Sequence, residues 1–162
     1  MAERSTIMSN HPYRINVGFL INAPVGTSRD FTIDEPAMDL DEDLHAKDIH
    51  CDVHVSKVQQ GIMAEVGCSA KTELECTRCL EPFEAALNSH FEELFAFRFL
   101  RENEEADNIL PDSGYMDLGD LVREYLVMEI PYAPVCRPDC KGLCPVCGKN
   151  LNEGPCEHSA AG

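Results

Sequence analysis

Hydrophobic and polar residues alternate with a period of two through the middle of the chain. A Gln59-Gln60-Gly61 turn interrupts this alternation, and the pattern then resumes and, after another break, continues from Thr72. Alternation of this kind is typical of strands that bury one face, so it predicts a β-meander. The predicted inward positions are Ile49, Cys51, Val53 and Val55 before the turn, and Ile62, Ala64, Val66, Cys68, Thr72, Leu74 and Cys76 after it.

Three segments before the meander receive separate predictions. Residues 14–21 are apolar enough for a first strand, and residues 29–33 form a short second one. Residues 34–43 contain six acidic residues and no basic one, which predicts an acidic surface loop. Residues 1–12 are polar and are predicted to form a flexible tail.

After the meander, residues 83–99 fit the period of either a strand or a helix. A strand is favoured because phenylalanines at 95, 97 and 99 restore the two-residue period, and phenylalanine prefers strands. Residues 101–112 are predicted to be an acidic, irregular linker. An amphipathic helix is predicted over 117–130, capped by Asp117 and ended by prolines at 131 and 134.

These elements predict an α+β fold that is mainly antiparallel β, either a meander or a partly closed barrel. The β-rich core occupies residues 13–134 and includes the helix at 117–130. Residues 135–162 are poor in apolar residues and rich in cysteine. We therefore expect them to form a zinc-knuckle-like segment that depends on bound metal and packs on the core.

The chain of 162 residues carries a formal net charge of −16. Phosphates repel such an acidic protein at long range, so contact with RNA requires a local basic group, whereas a basic protein partner is attracted. No apolar run reaches the roughly 18 residues of a membrane span, and the first residues do not resemble a signal peptide. We expect a cytoplasmic protein that does not bind membranes. In the cytoplasm thiols stay reduced, so the nine cysteines are interpreted as metal ligands in preference to disulfides.

Eight residues have the spacing of metal ligands, enough for one or two zinc ions. Cys144, Cys147, Cys156 and His158 form a local set, with the order Cys-x2-Cys-x8-Cys-x-His. The other four ligands are two pairs that lie far apart in the chain, and they form the second set: Cys76, Cys79, Cys136 and Cys140. An alternative division joins Cys76 and Cys79 to Cys144 and Cys147.

The other polar groups do not indicate an enzyme. No nucleophile has a base at a suitable spacing, and no phosphate-binding glycine loop is present. Cys51 and Cys68 lie on apolar strand faces and are interpreted as buried structural thiols. A redox role for Cys76 and Cys79 is an alternative to metal binding. Four basic residues near the cysteines either compensate thiolate charge or contact RNA phosphates; they are Arg78, Arg137, Lys141 and Lys149.

Three stretches resemble one known family in the order they occur. They are Leu-Glu-Cys-Thr-Arg-Cys-Leu-Glu-Pro-Phe at 74–83, the helix entry at 116–124, and the closing motif Lys-Gly-Leu-Cys-Pro-Val-Cys-Gly-Lys-Asn-Leu-Asn at 141–152. The chain resembles the large ribosomal RNA subunit accumulation protein family (YceD-like), although its Cys156-Glu-His158 ending differs from the Cys-x-Cys ending expected there.

The resemblance implies a non-enzymatic ribosome-biogenesis factor that supports accumulation and processing of the large-subunit (23S) ribosomal RNA. Its expected partners are the precursor of that RNA, a basic large-subunit ribosomal protein, or both, and no small-molecule substrate is expected. An adaptor held together by zinc and unrelated to ribosomes is an alternative that the sequence leaves open.

Overall fold

The computed structural model describes residues 12–100 and 105–158. In the described part of the chain, no helix is both long and apolar enough to cross a membrane. The elements of these described residues, in chain order, are β1 (Arg14–Asn16), α1 (Gly18–Ile21), β2 (Ser28–Asp41), β3 (Leu44–Lys57), β4 (Gly61–Glu75), β5 (Pro82–Phe97), β6 (Ile109–Leu110), β7 (Tyr115–Asp117), α2 (Gly119–Met128) and a 3-10 turn (Leu151–Glu153).

Five strands form one sheet whose spatial order is the order of the chain, from β2 to β6. The first four pair antiparallel, and β6 joins the end of β5 in parallel. The sheet curls into a half-barrel, with few helices in the described residues. The predicted fold class, mainly antiparallel β with one C-terminal helix and a cysteine-rich tail, is confirmed.

The apolar face of the sheet forms the core, closed by the β1–β7 ribbon and by α2. Helix α2 packs across β2, β4 and β5, and its Val122 and Leu126 are completely buried. The ring of Tyr125 stacks on Phe91 of β5 with centroids 4.2 Å apart. Alternation in the strands therefore produces one continuous core on one side of the sheet and leaves the other side polar.

Two predictions about the N-terminal segments were wrong. The strand predicted over 14–21 ends at Asn16, because the Asn16 side chain accepts a hydrogen bond from the Gly18 amide (3.0 Å) and the chain turns into α1. The acidic loop predicted over 34–43 is mostly the second half of β2. Asp34, Asp39 and Asp41 are exposed while Ile33, Met38 and Leu40 are buried, so acidity and strand structure are compatible here.

The strand predicted over 83–99 is confirmed as β5. The linker predicted over 101–112 contains β6 in its described part, so it is not wholly irregular. Helix α2 begins at Gly119 and not at Asp117, and Asp117 instead accepts a hydrogen bond from the Gly119 amide (2.9 Å). The predicted tail, apart from Pro12, lies outside the described residues.

Cys51 and Cys68 are buried as predicted, but they form a disulfide with each other. The interpretation as free structural thiols was therefore wrong. The two residues stand directly opposite each other in the β3–β4 pair, with Cα atoms 4.2 Å apart. Their pairing follows from the register of the hairpin, which brings two inward-facing cysteines to the same rung.

The helix on the core provides a test of this packing. We expect Leu126→Ala to lower the free energy of unfolding by roughly 2–5 kcal/mol, because a fully buried side chain would leave a cavity between α2 and the sheet. Met128, two residues later, is 74% exposed, and Met128→Ala should change stability by less than about 0.5 kcal/mol. Urea denaturation of both variants measures the difference, and equal effects would contradict the described packing of α2.

Candidate metal centres and charged surfaces

The turn between β4 and β5 presents the first cysteine pair. The Leu80 amide donates to the Cys76 carbonyl oxygen (2.9 Å), the Cys76 amide donates to the Glu81 carbonyl oxygen (3.0 Å), and the Cys79 amide points to the Cys76 sulfur (3.5 Å). Leu80 closes the turn with a φ of 63°, a left-handed conformation that is uncommon for leucine. Both sulfurs of the pair consequently face the same side.

The pair Cys144–Cys147 is built on the same plan. The Gly148 amide donates to the Cys144 carbonyl oxygen (2.9 Å), and the Cys144 amide donates to the Lys149 carbonyl oxygen (2.8 Å). Gly148 has a φ of 75°, which is the position that Leu80 occupies in the first turn. Glycine adopts this conformation without steric cost, so the second turn is unstrained where the first is not.

Four cysteines converge where the tail meets the end of the sheet. Their sulfurs all lie within 4.8 Å of one another. Two of the separations, Cys76 to Cys140 and Cys79 to Cys136, are 3.7 Å each. In a tetrahedral site with metal–sulfur bonds of about 2.3 Å, neighbouring sulfurs are about 3.8 Å apart. The cluster of Cys76, Cys79, Cys136 and Cys140 could therefore hold a metal ion, and we call it the first cluster.

In the first cluster, burial and hydrogen bonds shift the pKa values of the thiols in opposite directions. Burial opposes ionisation of Cys76 most strongly, but hydrogen bonds from the backbone amides around it outweigh burial and lower its pKa to about 6. A hydrogen bond from the Asn152 side chain is the main cause that lowers the pKa of Cys140. Burial and the neighbouring sulfurs raise the pKa of Cys136 to about 12. Two of the sulfurs are thus prepared to bind as thiolates, the form that coordinates metal.

A second cluster lies entirely within the tail. The ligand atoms of Cys144, Cys147, Cys156 and His158 also fall within 4.8 Å of one another, and Cys156 Sγ lies 4.0 Å from His158 Nδ1. Cys144 is buried, whereas Cys147 and His158 are exposed. This second cluster could hold another metal ion, in a position more open to solvent than the first. The eight residues divide into the local set and the distant set, and Cys76 and Cys79 are not joined to Cys144 and Cys147.

Hydrogen bonds hold the tail against the first turn. The backbone amide and the hydroxyl of Thr77 both donate to the Pro134 carbonyl oxygen (2.8 and 3.0 Å). The Arg78 guanidinium donates to the carbonyl oxygens of Cys140 (3.1 Å) and Pro138 (3.3 Å). Arg78 therefore bridges the turn and the tail, a structural role that sequence reasoning did not assign to it.

The other three basic residues lie on the surface of the tail. Arg137 is paired with Asp139 (3.4 Å), and Lys149 donates to the Pro155 carbonyl oxygen (3.2 Å). Lys141 is exposed, and its backbone amide is bonded to the Asn152 side chain (2.8 Å). All four predicted RNA contacts therefore belong to the cysteine-rich end of the molecule, and three of them also make contacts within it.

The polar face of the sheet contains a ladder of histidine–aspartate pairs that sequence reasoning missed. Histidines on β3 stand opposite aspartates on β2, and a further pair, His90 and Glu65, joins β5 to β4 (3.2 Å). The Asp34 carboxylate is the main cause that raises the pKa of His50. The Nδ1–Oδ1 distances are 2.6 Å for His54 and Asp30, 2.5 Å for His50 and Asp34, and 2.7 Å for His45 and Asp39.

Residues 64–161 match the family model of the large ribosomal RNA subunit accumulation protein YceD, and this match covers more than half of the chain. The chain belongs to the YceD family. The matched residues contain most of β4, all of β5 and α2, and both cysteine clusters. The resemblance noted in the sequence is confirmed.

Two uncharacterized mycobacterial proteins are also similar to this chain. An uncharacterized Mycobacterium tuberculosis protein is 34% identical over 109 residues, which are 64% of this chain and 52% of the relative. A Mycobacterium leprae protein, also uncharacterized, is 32% identical over 107 residues, which are 64% and 49%. The chain spans about half the length of these relatives.

A plant member of the YceD family also matches. The chloroplastic large ribosomal RNA subunit accumulation protein YCED homolog 1 of Zea mays is 46% identical over 37 residues, which are 23% of this chain and 13% of the plant protein. No solved structure matches significantly.

Two glycines test how closely the tail fits the first turn. Gly142 and Gly148 have nearly the same φ, 76° and 75°. A Cβ at Gly142 would lie 3.2 Å from the Arg78 carbonyl oxygen, whereas a Cβ at Gly148 would meet nothing within 4 Å. We expect Gly148→Ala to cost on the order of 1–2 kcal/mol of backbone strain. Gly142→Ala should cost more, because it also pushes the turn away.

Amide hydrogen exchange separates the two effects. Gly142→Ala should accelerate exchange at the Thr77 amide, which bonds the tail, and Gly148→Ala should leave that amide as protected as in the unmodified chain. If both variants leave the Thr77 amide equally protected, the close approach of Gly142 to Arg78 does not hold the tail in place.

Proposed function

We infer that this chain is a non-enzymatic ribosome-biogenesis factor that acts in the cytoplasm by binding. The observation that carries this proposal is the family match over residues 64–161, whose description concerns accumulation of the large ribosomal RNA subunit. The maize relative has the same description in its name. Accumulation of an RNA is an outcome that protection or assembly can produce, and neither requires catalysis.

The low exposure of the first cluster argues against a thiol oxidoreductase. Disulfide exchange requires a thiolate that can reach the substrate disulfide. Cys76, whose pKa is lowered to about 6, is 0% exposed, and Cys79 is 3% exposed. Sulfurs that are buried and face one another are suited to coordinating an ion between them. This favours metal binding over redox chemistry.

Zinc is the metal that this donor chemistry favours. Four thiolates, or three thiolates and one imidazole, in a tetrahedral arrangement are typical of structural zinc sites. The first cluster offers the former set and the second cluster the latter. Zinc bound in both clusters would hold the tail in its folded form and would have no open coordination position.

Elemental analysis of the purified protein tests this assignment. We expect two zinc ions per chain in reducing buffer, since both clusters present four ligand atoms. The variant Cys147→Ser should lower the content to about one ion, because it removes a ligand from the second cluster alone. A content below about half an ion per chain in the unmodified protein would contradict the proposal.

The favoured direct partner is a basic large-subunit ribosomal protein. The polar face of the sheet combines the histidine–aspartate ladder with further carboxylates, and it attracts a basic polypeptide at long range. Lys47 and Lys71 are the lysines of this face. Its carboxylates on β2 to β5 include Asp30, Asp34, Asp39, Asp52, Glu65, Glu73, Glu84 and Glu92.

The cysteine-rich end is a weaker candidate for direct RNA contact. Its four basic residues are matched in the same segments by four carboxylates, those of Glu81, Asp139, Glu153 and Glu157. Zinc bound by four thiolates leaves two negative charges, and zinc bound by three thiolates leaves one. The end as a whole is therefore not positively charged, so the basic residues serve mainly to compensate the thiolates.

Complementation of cells that lack the protein tests both the function and the partner. Loss of the protein should lower the ratio of mature large-subunit to small-subunit ribosomal RNA, and the unmodified chain should restore it. Neutralising four carboxylates of the sheet face should abolish this restoration, since the attraction for a basic partner would be lost. These changes are Asp30→Asn, Asp34→Asn, Glu65→Gln and Glu92→Gln.

A matched control removes the same charge elsewhere on the surface and should restore the ratio fully. Reversal of Arg137 and Lys141 to glutamate should also restore it, unless RNA is the direct partner. If the sheet-face variant restores the ratio as well as the control does, the proposed docking face is wrong. The control changes are Glu105→Gln, Asp107→Asn, Glu124→Gln and Glu129→Gln.

A further inference from the structure

The side chain of Asn152 connects the two cysteine clusters. Its amide nitrogen donates to the Cys140 sulfur of the first cluster (3.3 Å), and its amide oxygen accepts from the Lys141 backbone amide (2.8 Å). Both ends of the side chain are therefore used on the segment that presents Cys140. Asn152 itself ligates neither cluster.

The second cluster determines where Asn152 lies. Asn152 sits in the 3-10 turn Leu151–Glu153, between the two halves of that cluster, which are Cys144 with Cys147 and Cys156 with His158. Asn150 caps the start of this turn, because its side-chain oxygen accepts a hydrogen bond from the Asn152 backbone amide (3.0 Å). The segment that contains Asn152 is thus a loop whose two ends meet at the second cluster.

Backbone hydrogen bonds attach this loop to the segment that follows Cys140. The Leu151 amide donates to the Gly142 carbonyl oxygen (2.9 Å), and Leu143 and Asn150 form an antiparallel bridge. Without a metal at the second cluster, hydrogen bonds alone would have to order the loop, because none of its side chains is buried. A metal that joins both ends of the loop removes much of that entropic cost.

We propose that Asn152 is a positioning residue that couples the two metal sites, so that metal bound at the second cluster strengthens metal binding at the first. This inference rests on the metal binding proposed above and goes beyond it. A hydrogen bond to a coordinating sulfur stabilises its thiolate, and loss of such a bond typically weakens metal affinity 10- to 100-fold. Thermodynamic linkage requires the effect to be reciprocal, so the first site must strengthen the second by the same factor.

Cobalt(II) titration of the full chain, followed by its absorption bands, measures the coupling. The four-thiolate site and the three-thiolate, one-imidazole site give different spectra, so each affinity is obtained separately. We expect Asn152→Ala to weaken cobalt binding at the first site about 10- to 100-fold. Asn152→Asp should have a similar effect, because a carboxylate can accept from the Lys141 amide but cannot donate to the Cys140 sulfur.

A double-mutant cycle shows whether the second site acts through Asn152. His158→Ala disables the second site without touching Asn152, and it should weaken the first site by a comparable factor. Asn152→Ala added to His158→Ala should then weaken the first site little further, since both changes break the same connection. Glu153→Ala, an exposed neighbour in the same turn, is the control and should leave both affinities unchanged.

The outcomes distinguish a failure of the coupling through Asn152 from a failure of metal binding itself. If both sites load but the two changes add independently, or Asn152→Ala leaves the first-site affinity unchanged, the coupling is overturned and metal binding stands. If neither cluster of the unmodified chain takes up cobalt, the metal proposal is wrong and the coupling is overturned with it.

Discussion

The approach of four sulfurs at the end of the β4–β5 hairpin is the constraint on which the C-terminal part of this protein depends. Two of the sulfurs belong to the sheet and two to the tail, so the cluster joins segments about 60 residues apart in the chain. Residues 135–158 have almost no core of their own, since only Cys140, Gly142 and Cys144 are buried there. A segment with so little apolar burial has few contacts of its own to offset its conformational entropy, so its order depends on its contacts with the sheet at this cluster.

The two faces of the sheet differ in chemistry and in role. One face buries the aliphatic and aromatic side chains that pack beneath α2, and this core is independent of the cysteine clusters. The opposite face is polar, and histidines of β3 are paired there with the aspartates that stand opposite them on β2. Because side chains alternate along every strand, one pattern of residues builds a stable core and a charged surface together. The family role proposed for the protein would use the surface and the tail, while the core holds both in place.

Two errors in the sequence interpretation have one cause. The acidic segment 34–43 resembled a loop by composition, yet Met38 and Leu40 continue the buried alternation of β2. Extending that strand would have placed aspartates opposite histidines across the turn at residues 42–43. Cys51 and Cys68 are likewise equally distant from the turn at Gln59 and Gln60, so the hairpin register alone could have paired them. In both cases the pairing register of the hairpin carried the information, and amino-acid composition does not specify a register.

The sequence by itself determined the strand alternation, the candidate ligand residues and the family, because each is encoded within a few neighbouring residues. A Cys-x-x-Cys turn forms from its own backbone hydrogen bonds, and a two-residue period needs only local geometry. Tertiary structure decided how the eight candidate ligands divide, that Arg78 bridges turn and tail, and that Asn152 reaches Cys140. The return of the chain after α2 brings Arg78 and the first cysteine pair to the tail, and the turns of the tail itself bring Asn152 to Cys140. Spacing along a sequence does not specify either approach.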